Sequence, residues 1–284
     1  MTWKTMLVVT SGEEEDARIL SVAAKLAGRF STRVIVVPAY PDAAADYVNY
    51  GTALASTKTR EEAVARIREG ERESQGRLEA LARDIAKQEG LSSLDGDRPP
   101  IRVRARDLDL AAGLAPIAAL ADLVIFGVSA ARDGFLLGEL FAQTLLTIGA
   151  PVLLVKGDQF ATGPVAIAWD GSAQAARAVR AALPFLKASS GVLVLSNIDE
   201  ADVELVDEEP LRDFLRQHEV ANVTSRKVHG ANIADSLLAA ARADKCTLLV
   251  AGGFGRPRLV EFVLGGTTRA LVNAAGEPHL LFAH

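Results

Sequence analysis

The strongest chemical signal lies near the end of the chain. Gly252, Gly253 and Gly255 follow the apolar run 248–251, and Arg256 and Arg258 come next. A second pair, Gly265 and Gly266, then precedes Thr267 and Thr268. Glycine lets a backbone approach a phosphate closely and adopt positive φ. The open N–H groups of a helix N-terminus, at the positive end of its dipole, stabilise an anion. A strand ending at Gly252 and a helix beginning near Thr267 therefore read as a phosphate cradle, with Thr267 and Thr268 as hydroxyl donors and Arg256 and Arg258 as rim charges. Plain turn punctuation is the competing explanation of the same glycines.

A second group stands earlier. Ala168, Trp169, Asp170, Gly171 and Ser172 follow an apolar run. In open parallel sheets, ligands sit beyond the carboxyl ends of the strands, at the point where the strand order reverses. An aspartate there suits a ribose hydroxyl or a metal ion; beside Gly171 and Ser172 it suits a helix cap equally well. Both readings stay open on sequence alone.

The elements that position these residues come from an internal repeat. Gly12 and Gly171 are 159 residues apart, and at that offset the apolar run 6–9 falls on 165–168 and the run 34–37 on 193–196. The landmarks recur later in the same order: 123–127 matches 248–252, Leu137 and Gly138 match Leu264 and Gly265, and 151–155 matches 278–282. The runs are rich in Val, Ile and Leu and nearly continuous, as strands buried on both faces of a parallel sheet are. They alternate with helical segments at 173–187 and 233–243, which implies right-handed βαβ units. The expected fold is α/β, two tandem doubly wound parallel sheets, with domains at 1–157 and 158–284. The first copy alone carries a long polar insertion. Residues 57–89 read as a charged helix with the sparse apolar stripe Ala63, Ile67, Leu78, Leu81 and Ile85, and Gly70 and Gly76 could break it. A solvated face is its ordinary meaning; a flap or a partner-binding arm is the alternative.

Composition removes several function classes. A net charge of −5 argues against nucleic acid as a partner. The single cysteine, Cys246, sits at the start of an apolar run and reads as a small buried hydrophobe. His218, His279 and His284 show no metal-ligand spacing. No apolar run approaches the length of a membrane span, and the first residues lack the pattern of a signal peptide, so a cytoplasmic location without membrane partners is expected.

With these residues in view, the chain resembles a tandem universal stress protein of the UspA type. The nucleotide pattern of that family is Gly, two residues, Gly, nine residues, Gly, then Ser or Thr; Gly252, Gly255 and Gly265 keep the spacing, while Gly266 replaces the hydroxyl residue. Residues 167–172, 229–234 and 278–281 resemble other family segments. The resemblance implies a Rossmann-like, five-stranded parallel sheet of the adenine nucleotide alpha hydrolase type in each half. It also implies an adenine nucleotide (ATP, or ADP or AMP), with Mg²⁺ on its phosphates, as the ligand of the second copy. ATP would contact Ala168, Trp169, Asp170, Ser196, Gly252, Gly253, Gly255, Arg256, Gly265, Gly266, Thr267 and Thr268. No residue is assigned as a direct metal ligand.

The first copy departs from the pattern. Ser11 stands at the place of Asp170, and Glu139, Leu140 and Phe141 stand at the places of Gly266, Thr267 and Thr268. A carboxylate and bulky apolar groups oppose a phosphate, so the first copy is expected to be structural, pairing with the second through 151–155 and 278–282 as an internal pseudo-dimer. A homodimer of chains is a further expectation. Two other readings stand beside nucleotide binding: a nucleotide-independent interaction module, favoured by Gly266, and slow ATP hydrolysis at the same site. For the latter no convincing general base is evident; His229 is the nearest. Residues 10–16 faintly resemble the phosphate loop of ATP pyrophosphatases, but their acidic run opposes pyrophosphate.

Overall fold

The computed structural model describes residues 3–12, 14–39, 57–91, 99–105, 110–132, 136–157, 160, 163–197, 207–230, 232–253, 266–276 and 278–284. The first copy runs β1 (Thr5–Thr10), α1 (Glu15–Phe30), β2 (Arg33–Pro38), α2 (Thr57–Gln88), β3 (Ile101–Val103), α3 (Leu110–Ala118), β4 (Leu123–Gly127), α4 (Val128–Arg132), α5 (Leu136–Ala142) and β5 (Val152–Val155). After α5 the helix widens into a π-helical segment, Gln143–Ile148. The second copy runs β6 (Val165–Ala168), α6 (Ala173–Ala188), β7 (Val192–Asn197), α7 (Glu209–Gln217), β8 (Val223–Val228), α8 (Ile233–Ala243), β9 (Leu248–Gly252), α9 (Gly266–Asn273) and β10 (His279–Ala283).

The strands form one sheet in the order β3-β2-β1-β4-β5-β10-β9-β6-β7-β8. Each copy contributes five parallel strands in the same internal order. The copies join where β5 pairs antiparallel with β10, Leu154 opposite Leu280 and Leu153 opposite Leu281. Leu153 and Leu280 are equivalent in the repeat, as are Leu154 and Leu281, so the pairing is reciprocal, as at a two-fold axis.

Strand periodicity builds the core. Met6, Val8, Ile125, Leu153, Val165, Ile167, Val194 and Val250 point to one face, packed under α1, α2, α6 and α7. Their neighbours Leu7, Val9, Val124, Phe126, Leu154, Ala166, Leu249 and Phe282 point to the other, under α3, α5, α8 and α9. Each apolar layer runs unbroken across both copies. On the first face, Trp3 and Phe30 of the first copy close on Phe185 of α6 at ring-centroid distances of 4.8 and 5.6 Å. Phe160 stacks on Phe185 at 5.0 Å and on His279 at 5.0 Å. Each such pair adds about 0.5–1.5 kcal/mol beyond its area burial.

The insertion is a single helix. Gly70 and Gly76 do not break α2; a side chain at either would meet nothing within 4 Å. Only the second half of its stripe reaches the core: Leu78 and Ile85 are buried and Leu81 partly so, while Ala63 and Ile67 stay half-exposed. Cys246 is buried as a core residue; desolvation and the charge of Asp244 push its thiol up to about 11, against a smaller opposing effect of Arg226. Among the described residues, no helix is long and apolar enough to cross a membrane.

Candidate functional site

In the second copy, β6 ends at Ala168 and β9 lies beside it, with Ala168 opposite Ala251. On the other side of β6 lies β7, so the strand order reverses at β6. Asp170, one residue past the buried Trp169, is exposed there. Gly171 takes φ 74°, and Ser172 then caps α6, its Oγ accepting the Ala175 N–H at 3.1 Å. The cap is thus Ser172 rather than Asp170. Asp170 tightens the turn through Oδ1, which accepts the Ser172 N–H at 2.9 Å, and its Oδ2 meets no donor among the described residues.

Gly252 ends β9 against the first turn of α6. A side chain there would meet the Ala175 nitrogen at 2.7 Å and the Gln174 carbonyl carbon at 2.9 Å. Backbone-on-backbone contact of this kind requires glycine, and it brings the end of β9 directly beside the turn that carries Asp170. Gly253 serves the strand edge rather than an anion: its N–H donates to the Ala283 carbonyl at 2.8 Å, and its carbonyl lies 2.9 Å from His284 Nδ1. Gly255, Arg256, Arg258 and Gly265 lie outside the described residues. Gly266 is the first residue of α9 and is exposed, with none of the described residues within 4 Å of an added side chain. Thr267 is exposed beside it, whereas Thr268 is buried. Of the two expected hydroxyl donors, Thr267 is the one open to solvent.

Ser196 is buried near the end of β7 and gives its hydroxyl to Glu208 Oε1 at 2.6 Å. Glu208, just before α7, is a residue the sequence reading missed. Its Oε2 accepts from Ser225 Oγ at 2.6 Å and from Arg212 at 3.4 Å. Burial pushes its carboxyl up, but the hydrogen bonds from Ser196 and Ser225 and the charge of Arg212 outweigh this and hold it below the usual glutamate range. The start of α7 is also tied to Trp169, whose Nε1–H donates to the Asp207 carbonyl at 3.3 Å. A faint signal existed in the i, i+4 spacing of Glu208 and Arg212. Nothing local announced that they would land on Ser196.

The first copy fills the same positions with its own carboxylates. Asp16 is buried and accepts from the Ser11 N–H at 2.9 Å and the Gly12 N–H at 2.8 Å. Burial raises its pKa despite those bonds. The Glu15 carboxylate lies on Gly127, within 2.5 Å of where a side chain there would begin, and accepts from Ser129 Oγ. Strand β4 then runs directly into α4. Leu140 and Phe141 are buried core residues, with Phe141 edge-on to Phe126 at 5.9 Å, and Glu139 is exposed. Glu15 and Asp16 were missed as site residues, although the repeat places them opposite Gln174 and Ala175.

No group of three or more metal-ligating side chains occurs among the described residues. His279 is buried under Phe160, and His218 packs on Phe214. His229 follows β8, which β7 separates from β6.

The universal stress protein family model matches residues 2–156 and again 162–282. The chain belongs to the universal stress protein family. Among solved structures, a universal stress protein from Archaeoglobus fulgidus DSM 4304 aligns over 98% of this chain and 94% of its own, at 14% identity and a TM-score of 0.67. A functionally unknown protein from Pseudomonas aeruginosa PAO1 aligns over 98% and 92%, at 15% identity and a TM-score of 0.59. A universal stress protein in complex with cAMP is 22% identical over 43% of this chain and 97% of its own, with a TM-score of 0.32. Comparison with curated proteins finds no match. The two family matches and the likeness to the Archaeoglobus fulgidus DSM 4304 structure fix the fold as that of a tandem universal stress protein.

Proposed function

We propose that this universal stress protein binds one adenine nucleotide, ATP, in its second copy and uses the first copy as a structural partner. The observation that carries the reading is the contrast between equivalent turns. The second copy presents Asp170, whose Oδ2 meets no donor among the described residues, beside the glycine-tight junction of β9 and α6. The first copy has already spent its turn amides and the face of Gly127 on Asp16 and Glu15.

Asp170 suits the ribose hydroxyls, which donate to an ionised carboxylate. The residues between Gly252 and Gly266 take the phosphates, with the amides at the start of α9 and the Thr267 hydroxyl. The exposed oxygen chemistry at Asp170 also fits a hard divalent cation shared with phosphates; Mg²⁺ would neutralise part of their charge there. Two carboxylates at the equivalent turn of the first copy repel a polyphosphate, at a few kcal/mol for unit charges about 4 Å apart near a protein surface. The reciprocal β5–β10 pairing and the continuous apolar layers support an internal pseudo-dimer of domains 1–157 and 158–284.

Equilibrium dialysis with labelled ATP and Mg²⁺ tests the reading. One ATP per chain, lost in Asp170→Ala at an unchanged melting temperature, is the expected result. Equal binding by Asp170→Ala, or no binding by the wild type at millimolar ATP, overturns it.

A further inference from the structure

The first copy reaches into the second at Lys156, one residue past β5. This lysine is buried, at 7% exposure. Its backbone N–H donates to His279 Nδ1 at 3.1 Å, and its Nζ donates to the Leu271 carbonyl at 2.9 Å. Leu271 lies in the last turn of α9, where carbonyls run out of helical partners. The Ala270 carbonyl is met by the Ala274 N–H at 3.0 Å, and the Leu271 carbonyl is met by the lysine. An ammonium at the carbonyl end of a helix reinforces its dipole. A buried lysine is also costly unless its charge is matched, so this contact fixes the helix end to the first copy.

The end of β9 is held from the first copy too. A side chain at Gly253 would meet Leu145 Cδ2 at 3.1 Å, and Leu145 is fully buried in the π-helical segment. The strand edge that receives Gly253, Ala283 of β10, belongs to the strand paired with β5. Gly253, just before residues 254–265, and Leu271 of α9, after them, therefore both meet first-copy side chains.

We propose that Lys156 is a positioning residue for phosphate binding by the second copy: it anchors the carbonyl end of α9 so that the amide end faces the nucleotide phosphates. The inference rests on the nucleotide reading above and extends it, because it gives the non-binding copy a defined part in the affinity of the binding one. It is proposed to act on the phosphates, because its contacts with Leu271 and His279 lie on α9 and β10, whereas the nucleoside end of the site is built from β6, β7 and the turn at Asp170.

The test compares ATP with adenosine on the full chain, in Mg²⁺ buffer, by calorimetric titration or competition. Lys156→Met removes the charge and the donor while keeping much of the volume. It is expected to weaken ATP roughly tenfold, the size of a well-placed charge at a helix end, and to leave adenosine unchanged; Lys156→Arg is expected to restore ATP binding. If Lys156→Met is too unstable to assay, Lys156→Gln keeps a donor without the charge and gives the same comparison. Equal weakening of ATP and adenosine, or no weakening of either, overturns the proposal while leaving the nucleotide site intact. Failure of the wild type to bind ATP overturns the underlying reading instead.

Discussion

Gly252 and Gly127 occupy the same place in the two copies, and the structure predicts opposite costs for replacing them by alanine. At Gly252 the new methyl meets backbone: the Ala175 nitrogen at 2.7 Å and the Gln174 carbonyl carbon at 2.9 Å. Ordinary contact begins at 3.4 Å, so the first turn of α6 must retreat by about 0.7 Å from β9. Overpacking of this kind costs about 1–3 kcal/mol, against which alanine recovers about 0.4–1 kcal/mol by restricting the unfolded chain. A net loss of about 1–2 kcal/mol corresponds to a fall in melting temperature of roughly 2–8 °C for a chain of this size. The same retreat widens the crevice beside Asp170, so ATP affinity falls with stability. At Gly127 the methyl meets only the tip of Glu15, whose carboxylate can swing towards solvent. Gly127→Ala loses the Ser129–Glu15 hydrogen bond and gains the same unfolded-state restriction, so it stays within about 1 kcal/mol of wild type. Thermal and urea unfolding of the two variants, run in parallel, measure the difference. Equal melting temperatures, or a larger loss at Gly127, would refute the reasoning that one glycine accommodates backbone and the other a mobile carboxylate.

Other outcomes follow from the same contacts. Gly266→Ser restores the hydroxyl of the family pattern at a position where an added side chain meets none of the described residues; it is expected to raise ATP affinity about three- to tenfold by one added hydrogen bond to phosphate, as read by calorimetry. Glu208 titrates below its ordinary range when folded, so its contribution to stability is present above that range and is lost as the pH falls through the lower folded value. Urea unfolding between pH 3 and 6 should show the gap between wild type and Glu208→Gln closing as the pH drops; a constant gap contradicts the assignment. Asp16 has the opposite sign, because its raised value makes the ionised form a cost that appears as the pH rises through the folded value. Phe185→Ala removes the ring on which Trp3, Phe30 and Phe160 converge and should cost about 3–5 kcal/mol in unfolding experiments. Trp3 and Trp169 are the two tryptophans; Trp3→Phe leaves Trp169 as the reporter, and its emission should change on addition of ATP in the wild-type site but not in Asp170→Ala.

Much of the fold was legible because it rests on period and repetition. Runs such as 6–9 and 165–168 are apolar at every position, and only strands covered on both faces require that. The helical segment 233–243 has in the structure the bounds read from the sequence, and Asn232 caps it through a side-chain bond to the Asp235 N–H. The α2 insertion came out as one helix because exposed glycines weaken a helix without forcing a break. The site was legible where it depended on local turn chemistry, at Asp170, Ser172 and Gly252. It was not legible where residues distant in sequence meet. Glu208 on Ser196, Glu15 on Gly127 and Lys156 on Leu271 are set by how strands and helices stack. The division between Ser172 as cap and Asp170 as the exposed side chain of the turn likewise needed the geometry of the turn. The first copy was read as degenerate from Ser11, Glu139, Leu140 and Phe141; the structure adds a more direct support for that reading in the carboxylates of Glu15 and Asp16.

The central claim is that one chain carries one nucleotide site and that it lies in the second copy. Calorimetric titration of ATP with Mg²⁺ into the wild type and into a Gly265→Glu, Thr267→Leu double variant, which imitates the first copy, tests it most directly. About one site per chain in the wild type and none in the double variant, with both proteins melting alike, is the expected result. Two sites per chain, or unchanged binding in the double variant, would contradict it.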